Sequence, residues 1–164
     1  MALRTILTDE DPALHKVCRP VTQFDKRLHD LLDDLKETLA HANGAGLAAP
    51  QVGILRRAVI VVDADDRMLE LVNPEIIARE GEQEGFEGCL SVPGRWGMVK
   101  RPMKVKVRAQ DRNGEFFEVE GEEIVARCFC HETEHLDGHL FTERADRLYT
   151  TEELDELLSS EEGQ

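Results

Sequence analysis

The chain has 164 residues, of which 41% are hydrophobic, and its formal net charge is −14 at pH 7. This length fits one domain with a buried core, while so negative a surface opposes binding to nucleic acid and to anionic membranes. No apolar run reaches the roughly 18 residues that a membrane-spanning helix needs, and residues 1–10 lack the layout of a signal peptide, so we expect a cytoplasmic protein.

The first predicted element is an amphipathic helix over residues 24–39. Its apolar side chains recur at intervals of three and four residues, and the pair Asn43 and Gly44 is typical of a helix end. Four β-rich runs follow, at residues 58–62, 69–72, 103–109 and 116–119. We expect the pair Asn73 and Pro74 to stop the second run, and residues 111–114 to form the turn between the last two.

Two further helices are predicted in the second half of the chain. One spans about residues 122–137 and ends at Gly138, and the other spans residues 151–159, which begin with a threonine cap. Because helices and strands follow one another without a linker or a repeat, we predict a single α+β domain over residues 1–164. Residues 1–148, approximately, form its core, and residues 149–164 form an acidic C-terminal tail or helix.

The helix predicted over residues 122–137 contains His131, Glu132 and His135 in the pattern H-E-x-x-H. Four residues along a helix make about one turn, so both imidazoles lie on one face and can bind a single metal ion. Glu132 can then act as a general base. The same pattern also occurs on charged, solvated helices that bind no metal.

A catalytic ion of this type needs a third protein ligand, and the pattern leaves it open. Phe141 stands where a metzincin has histidine, and His139 is interpreted as a surface residue beyond the helix. A downstream glutamate such as Glu143 fits a peptidase site. Cys89 is the better candidate because a thiolate binds zinc or ferrous iron strongly, although a lone cysteine is often a small buried apolar residue.

Three segments together resemble the sequence motifs of peptide deformylases. They are GAGLAAPQ at residues 44–51, EGCLS at residues 87–91 and HETEHLDG at residues 131–138. These are similar to the family motifs G-x-G-L-A-A-x-Q, E-G-C-L-S and H-E-x-D-H-L-x-G, in the same order. The resemblance implies antiparallel β-sheets packed around a central metal-binding helix, with an N-terminal amphipathic helix and a C-terminal helix.

The resemblance also implies an activity. Peptide deformylases are metal-dependent hydrolases that remove the N-formyl group from the N-terminal methionine of newly synthesised proteins and release formate. Their usual ion is Fe²⁺, which Zn²⁺, Ni²⁺ or Co²⁺ can replace. The residues that match the family's metal ligands are Cys89, His131 and His135. The resemblance further implies that Glu132 is the base and that Gln51 and the Leu90 amide donate hydrogen bonds to the oxyanion.

The methionine side chain of such a substrate needs an apolar pocket. The candidates for its lining are two glycines, which let backbone approach a bound peptide, and four larger residues. They are Gly44, Gly46, Val125, Cys128, Phe129 and Trp96. Core packing is an equally good interpretation for the three of these that lie on the metal helix.

The expected partners are N-formylmethionyl nascent peptides, with no membrane and no direct nucleic-acid binding. Transient contact with the ribosome is compatible with this activity. Residues 151–164 contain six acids and no base, so that contact is not expected through the tail.

The sequence departs from the family pattern at two positions of the metal helix. Glu134 stands where the family usually has Asp, and Cys130 stands where it usually has Gln, so the resemblance does not extend to these two neighbours of the metal ligands. Glu87 and Arg101 match positions that pair to brace the loop carrying Cys89. Two alternatives stay open: an H-E-x-x-H metallopeptidase with a glutamate ligand, and a catalytically weak, deformylase-like binding protein.

Overall fold

The computed structural model describes residues 2–162, so residues 1, 163 and 164 of the predicted domain lie outside the described part. Its α-helices are α1 (Lys26–Ala42), α2 (Ile124–Leu136) and α3 (Thr151–Glu162), and short 3₁₀ helices occur at Pro12–His15, Ala49–Val52 and Phe141–Glu143. Within residues 2–162 no helix is both long and apolar enough to cross a membrane.

The observed ends of the first two helices have a clear structural basis. The Asp25 carboxylate accepts a hydrogen bond from the Leu28 N–H and caps the start of α1. Asn43 ends that helix in the left-handed conformation, with φ 56°. Gly138, with φ +81°, follows α2 in the same region of backbone space.

Eight strands in the described part form two antiparallel sheets. In chain order they are β1 (Gly46–Ala48), β2 (Ala58–Val62), β3 (Met68–Glu80), β4 (Gln83–Cys89), β5 (Val92–Arg101), β6 (Lys104–Gln110), β7 (Phe116–Glu122) and β8 (Leu148–Thr150). One sheet has the order β1-β2-β3-β6-β7 and the other has the order β4-β5-β8. The predicted boundary between core and tail, at about residue 148, falls inside β8, which pairs with β5.

The five-stranded sheet is covered by a helix on each face. Alternate residues of β2 point to opposite faces, so Ala58 and Ile60 pack with α1 whereas Val59 and Val61 pack with α2. The other face of α2 meets the three-stranded sheet, where Arg127 donates hydrogen bonds to the backbone of β4 and β5. The predicted α+β fold with antiparallel sheets around a central helix is therefore confirmed.

The prediction that Asn73 and Pro74 stop a strand is wrong. The strand β3 continues to Glu80 and pairs with β6 on both sides of a register shift between Val72 and Glu75. Asn73 adopts φ 50°, and its carboxamide accepts a hydrogen bond from the Val21 N–H and donates one to the Val21 carbonyl. The proline is accommodated because it lies in a bulge, where a missing N–H costs no ladder hydrogen bond.

Candidate metal centre

Three side chains that can bind a metal converge between α2 and the end of β4. The Cys89 thiol and one ring nitrogen each of His131 and His135 all lie within 4.8 Å of one another. Cys89 Sγ is 3.4 Å from His135 Nε2. The two histidines are one turn apart on α2, and Cys89 is the last residue of β4, where the register against β5 shifts.

The donor set fits a divalent transition metal. One thiolate and two imidazoles suit zinc and ferrous iron, and both histidine rings are buried. Burial lowers the pKa of His135 well below its ordinary value, which keeps the ring in the neutral form that binds a metal. The sequence alone proposed these three residues, and the structure brings them together.

A buried carboxylate fixes the orientation of the His131 ring. Glu87 Oε1 lies 3.0 Å from His131 Nδ1, so the proton on Nδ1 is held there and Nε2 is left free for a metal. The same carboxylate accepts hydrogen bonds from Arg101 Nε at 2.8 Å and Nη2 at 2.9 Å, and from Arg127 Nη1 at 2.6 Å. Although burial raises the pKa of Glu87, the hydrogen bonds from Arg101 and His131 bring it well below its ordinary value. The predicted pairing of Glu87 with Arg101 is confirmed.

Glu132 lies beside the two histidines and faces the cleft. Its side chain is buried, and Oε1 has no hydrogen-bond partner among residues 2–162. Burial raises the pKa of Glu132 to about 7. A Cβ atom at Gly46 would lie 2.5 Å from Glu132 Oε2, so a side chain at this position would displace the carboxylate.

Gln51 presents the donor end of its carboxamide to the site. Its Oε1 accepts a hydrogen bond from the Ala48 N–H at 2.9 Å, which directs Nε2 the other way. Nε2 donates to Ser91 Oγ at 3.0 Å and lies 3.6 Å from Cys89 Sγ. The side chain is 1% exposed, so this orientation is fixed by packing as well as by hydrogen bonds. Leu90 follows Cys89 directly and lines the same cleft.

The cleft in front of these residues has a volume of about 700 Å³, which is in the usual range for a ligand pocket. The segment leading into β1 forms one wall, and β4 with the turn to β5 forms another. Of the predicted pocket residues, four line this cleft: Gly44, Gly46, Trp96 and Cys128.

Val125 and Phe129 do not line the cleft, which corrects their assignment to the pocket. Phe129 is 0% exposed in the core beneath the five-stranded sheet, and Val125 packs against the same core. On a helix the residues facing the cleft recur every three or four positions, as Ile124, Cys128 and His131 do. Ile124 is a lining residue absent from the predicted set, and the available signal in the sequence was an apolar residue at that spacing from Cys128 and His131.

The two departures on the metal helix have different environments. Cys130 is buried in the core shared with the five-stranded sheet, and all four cysteines are free thiols. Glu134 accepts a hydrogen bond from Arg101 Nη1 at 2.5 Å. His139 and Glu143 pair with each other at 3.2 Å on the surface, and neither belongs to the group of three converging ligands.

Comparisons with known proteins agree with this geometry. The model of the polypeptide deformylase family matches residues 3–151. A peptide deformylase of Caldicellulosiruptor bescii is 54% identical over 159 residues, covering 97% of this chain and 95% of the relative. One of Agathobacter rectalis is 53% identical over 146 residues, covering 89% of this chain and 92% of the relative.

Solved structures give the same result. The crystal structure of a peptide deformylase from Legionella pneumophila has a TM-score of 0.84 at 38% identity and covers 99% of both chains. One from Thermotoga maritima has a TM-score of 0.85 at 37% identity, covering 90% of this chain and 100% of that chain. These matches favour the deformylase interpretation over the metallopeptidase and the binding protein. The chain belongs to the polypeptide deformylase family, whose metal-dependent enzymes hydrolyse the N-formyl group from nascent peptides.

Proposed function

We propose that Cys89, His131 and His135 hold a single divalent metal ion and that deformylation takes place in front of it. The observation that carries this assignment is the convergence of their ligand atoms within 4.8 Å at the inner end of the cleft. When bound there, the ion polarises the formyl carbonyl and makes water a better nucleophile.

Glu132 is the general base of the reaction. It accepts a proton from the attacking water and then donates it to the amine that leaves, so one carboxylate acts in both steps. Oε1 has no hydrogen-bond partner in the described part of the chain, so the buried carboxylate is free to exchange a proton with the water and the amine. Gly46 keeps the space that this carboxylate occupies free of a side chain.

Gln51 and the backbone N–H of Leu90 stabilise the oxyanion that forms as water adds to the formyl carbon. The Gln51 carboxamide is held by Ala48 and Ser91, so its donor group needs no reorganisation when negative charge develops. One such preorganised donor contributes about 3 kcal/mol to transition-state stabilisation.

Fe²⁺ is the proposed resident ion, with Zn²⁺, Ni²⁺ and Co²⁺ as substitutes. A thiolate with two imidazoles binds all four ions, and their relative availability in the cell decides which is bound. Elemental analysis of protein purified without oxygen identifies the resident ion. Iron bound in a one-to-one ratio supports the proposal, and zinc under the same conditions contradicts it.

Gly44, Gly46, Cys128 and Trp96 are the proposed contacts for the substrate, an N-formylmethionyl nascent peptide in the cytoplasm. Any contact with the ribosome is transient and does not involve the tail that contains α3, because six acids without a base repel ribosomal RNA. The catalytic core extends to about residue 148, and no direct binding to nucleic acid or to a membrane is part of the proposal.

The substitution Glu132→Gln tests the assignment of the base. It preserves the shape of the side chain but removes its ability to accept a proton, so formate release from a formyl-methionyl peptide falls by roughly 10²- to 10⁴-fold. Bound metal, measured on the same sample, stays at the wild-type level. Glu152→Gln, at an exposed position of α3, is the matched control and retains full activity.

Near-normal turnover by the Glu132→Gln variant would overturn this assignment. A parallel assay of cleavage within the same peptide distinguishes deformylation from peptidase activity, and we expect no internal cleavage by either variant or by the wild type.

A further inference from the structure

A short segment after the metal helix contacts His131 through an aromatic ring. Phe141 lies with its ring stacked on that of His131, with centroids 5.9 Å apart and an angle of 20° between the planes. Phe141 is buried together with Val92 and Val99, and Cys89 packs against the same cluster. The phenyl ring therefore contacts one proposed metal ligand, His131, and belongs to the cluster that packs against another, Cys89.

The same segment reaches His131 by a second route made of charged groups. Arg144 Nε donates a hydrogen bond to Glu134 Oε2, and Arg101 Nη1 donates one to Glu134 Oε1. Arg101 in turn donates two hydrogen bonds to Glu87. Since Glu87 also holds His131 Nδ1, the chain of contacts is continuous from the surface to the ligand.

Burial increases along this chain toward the metal centre. The side chain of Arg144 is 56% exposed, that of Glu134 is 16% exposed and that of Arg101 is 3% exposed. Water therefore screens the outer pair more than the inner one. The outer pair nevertheless attaches the segment to α2, because each carboxylate oxygen of Glu134 binds a different arginine.

Glu134 is also where the sequence departs from the family motif, which usually has aspartate. The additional methylene carries the carboxylate farther from the helix backbone. Here one oxygen contacts β5 through Arg101 and the other contacts the segment through Arg144. The residue that departs from the motif thus links α2 to β5 and to the segment that contains Arg144.

We propose that residues 140–144, the clamp segment, position His131 for metal binding through these two routes. Phe141 restrains the face of the ring, and Arg144 acts on its Nδ1 side through Glu134, Arg101 and Glu87. Phe141 and Arg144 are positioning residues that touch neither substrate nor metal. The inference rests on the proposed function, because it takes His131 to be a metal ligand.

The test uses protein loaded with Co²⁺ and follows both its visible absorption spectrum and the rate of Co²⁺ loss to a chelator. Partners that orient a ligand typically change metal affinity by 10- to 100-fold. We expect Phe141→Leu, which keeps the cluster apolar, and Arg144→Gln each to increase the rate of loss roughly tenfold and to alter the ligand-field bands. Arg144→Lys, which retains the charge, restores most of the wild-type rate.

Arg147→Gln is the matched control. Arg147 is similarly exposed, lies three residues after Arg144 and pairs with Glu153 instead of with the metal helix. Its substitution leaves the spectrum and the rate of metal loss unchanged. Glu134→Asp provides a second, milder probe, since it shortens the bridge without removing the charge and is expected to give an intermediate rate.

Wild-type spectra and wild-type rates of Co²⁺ loss in both Phe141→Leu and Arg144→Gln would overturn the proposed role of the clamp segment. Failure of the proposed function looks different: the unaltered protein would then show no thiolate-to-cobalt absorption, and Cys89→Ala would not change its spectrum. Equal acceleration in the Arg147→Gln control would also contradict the proposal, because it would show a general loosening of the region.

Discussion

The two sheets of this deformylase are stabilised in different ways. The five-stranded sheet has apolar residues on both faces, and all four residues from Ala58 to Val61 are 0% exposed beneath its two helices. The three-stranded sheet buries only a small apolar cluster and places a charged group, Glu87 with Arg101, in its interior. Apolar burial has little directional preference, whereas charged hydrogen bonds fix the direction of each partner. The sheet that carries Cys89 therefore has the more directional interactions.

The largest loss of unfolding free energy is expected when the buried ion pairs of Glu87 are removed. Glu87→Gln leaves the buried Arg127 without a compensating negative charge and Arg101 with Glu134 alone, which costs about 4 kcal/mol of unfolding free energy. It also loosens the His131 ring, so metal affinity falls at least tenfold. Urea unfolding and chelator competition measure the two effects. An unchanged metal affinity would show that the charges stabilise the sheet without orienting the ligand.

A cavity introduced on the α1 side of the five-stranded sheet is expected to lower the unfolding free energy without changing the metal affinity. Leu35 of α1 is 0% exposed, and Leu35→Ala costs about 3 kcal/mol through lost burial and an unfilled cavity. The metal affinity and the rate per folded molecule stay at wild-type values, because α1 and α2, the helix that carries both histidines, cover opposite faces of the five-stranded sheet. A tenfold loss of activity in fully folded Leu35→Ala protein would remove the distinction between the two sheets.

The smallest loss of unfolding free energy is expected at the edge of the apolar region, where Glu70 of β3 binds Arg112 and Lys36. Burial raises the pKa of Glu70, but these hydrogen bonds outweigh it and lower the pKa below its ordinary value of 4.5. The carboxylate therefore stabilises the fold above pH 4.5 and loses this contribution as pH falls through the lower, folded-state pKa. Glu70→Gln is expected to cost about 1 kcal/mol at pH 7.

Urea unfolding of Glu70→Gln and of the wild type at several pH values measures this contribution. The difference between the two proteins is constant from pH 7 down to about pH 5 and shrinks in stronger acid. A difference that grows on acidification would mean that Glu70 is protonated more readily in the folded state, contrary to its contacts.

Local spacing explains which features the sequence could predict. The helix α2, its two histidines and the end of α1 at Asn43 follow from patterns within a few residues, and the structure has all of them. The strand β4 was not predicted, because its sequence QEGFEGC mixes glycines and acids without an alternating apolar pattern. Its pairing with β5 holds it in place instead.

Choosing between the faces of a helix needs information that periodicity lacks. Phe129 and Cys128 are neighbours of the same metal helix, yet the first fills the core and the second lines the cleft. Local patterns also do not predict that Glu134 contacts Arg101, since Arg101 lies 33 residues away in the chain. Such contacts depend on how the sheets meet α2, so they become visible only in three dimensions.

The positions of β1 and β4 have a consequence for selectivity. Each is the end strand of its sheet, and both border the same cleft. An end strand offers unpaired N–H and C=O groups to any extended chain that lies beside it. These groups pair with main-chain atoms, which are the same in every residue, so a peptide can be aligned without regard to its side chains. Such a cleft suits an enzyme whose substrates share one terminal group and otherwise differ across an entire proteome.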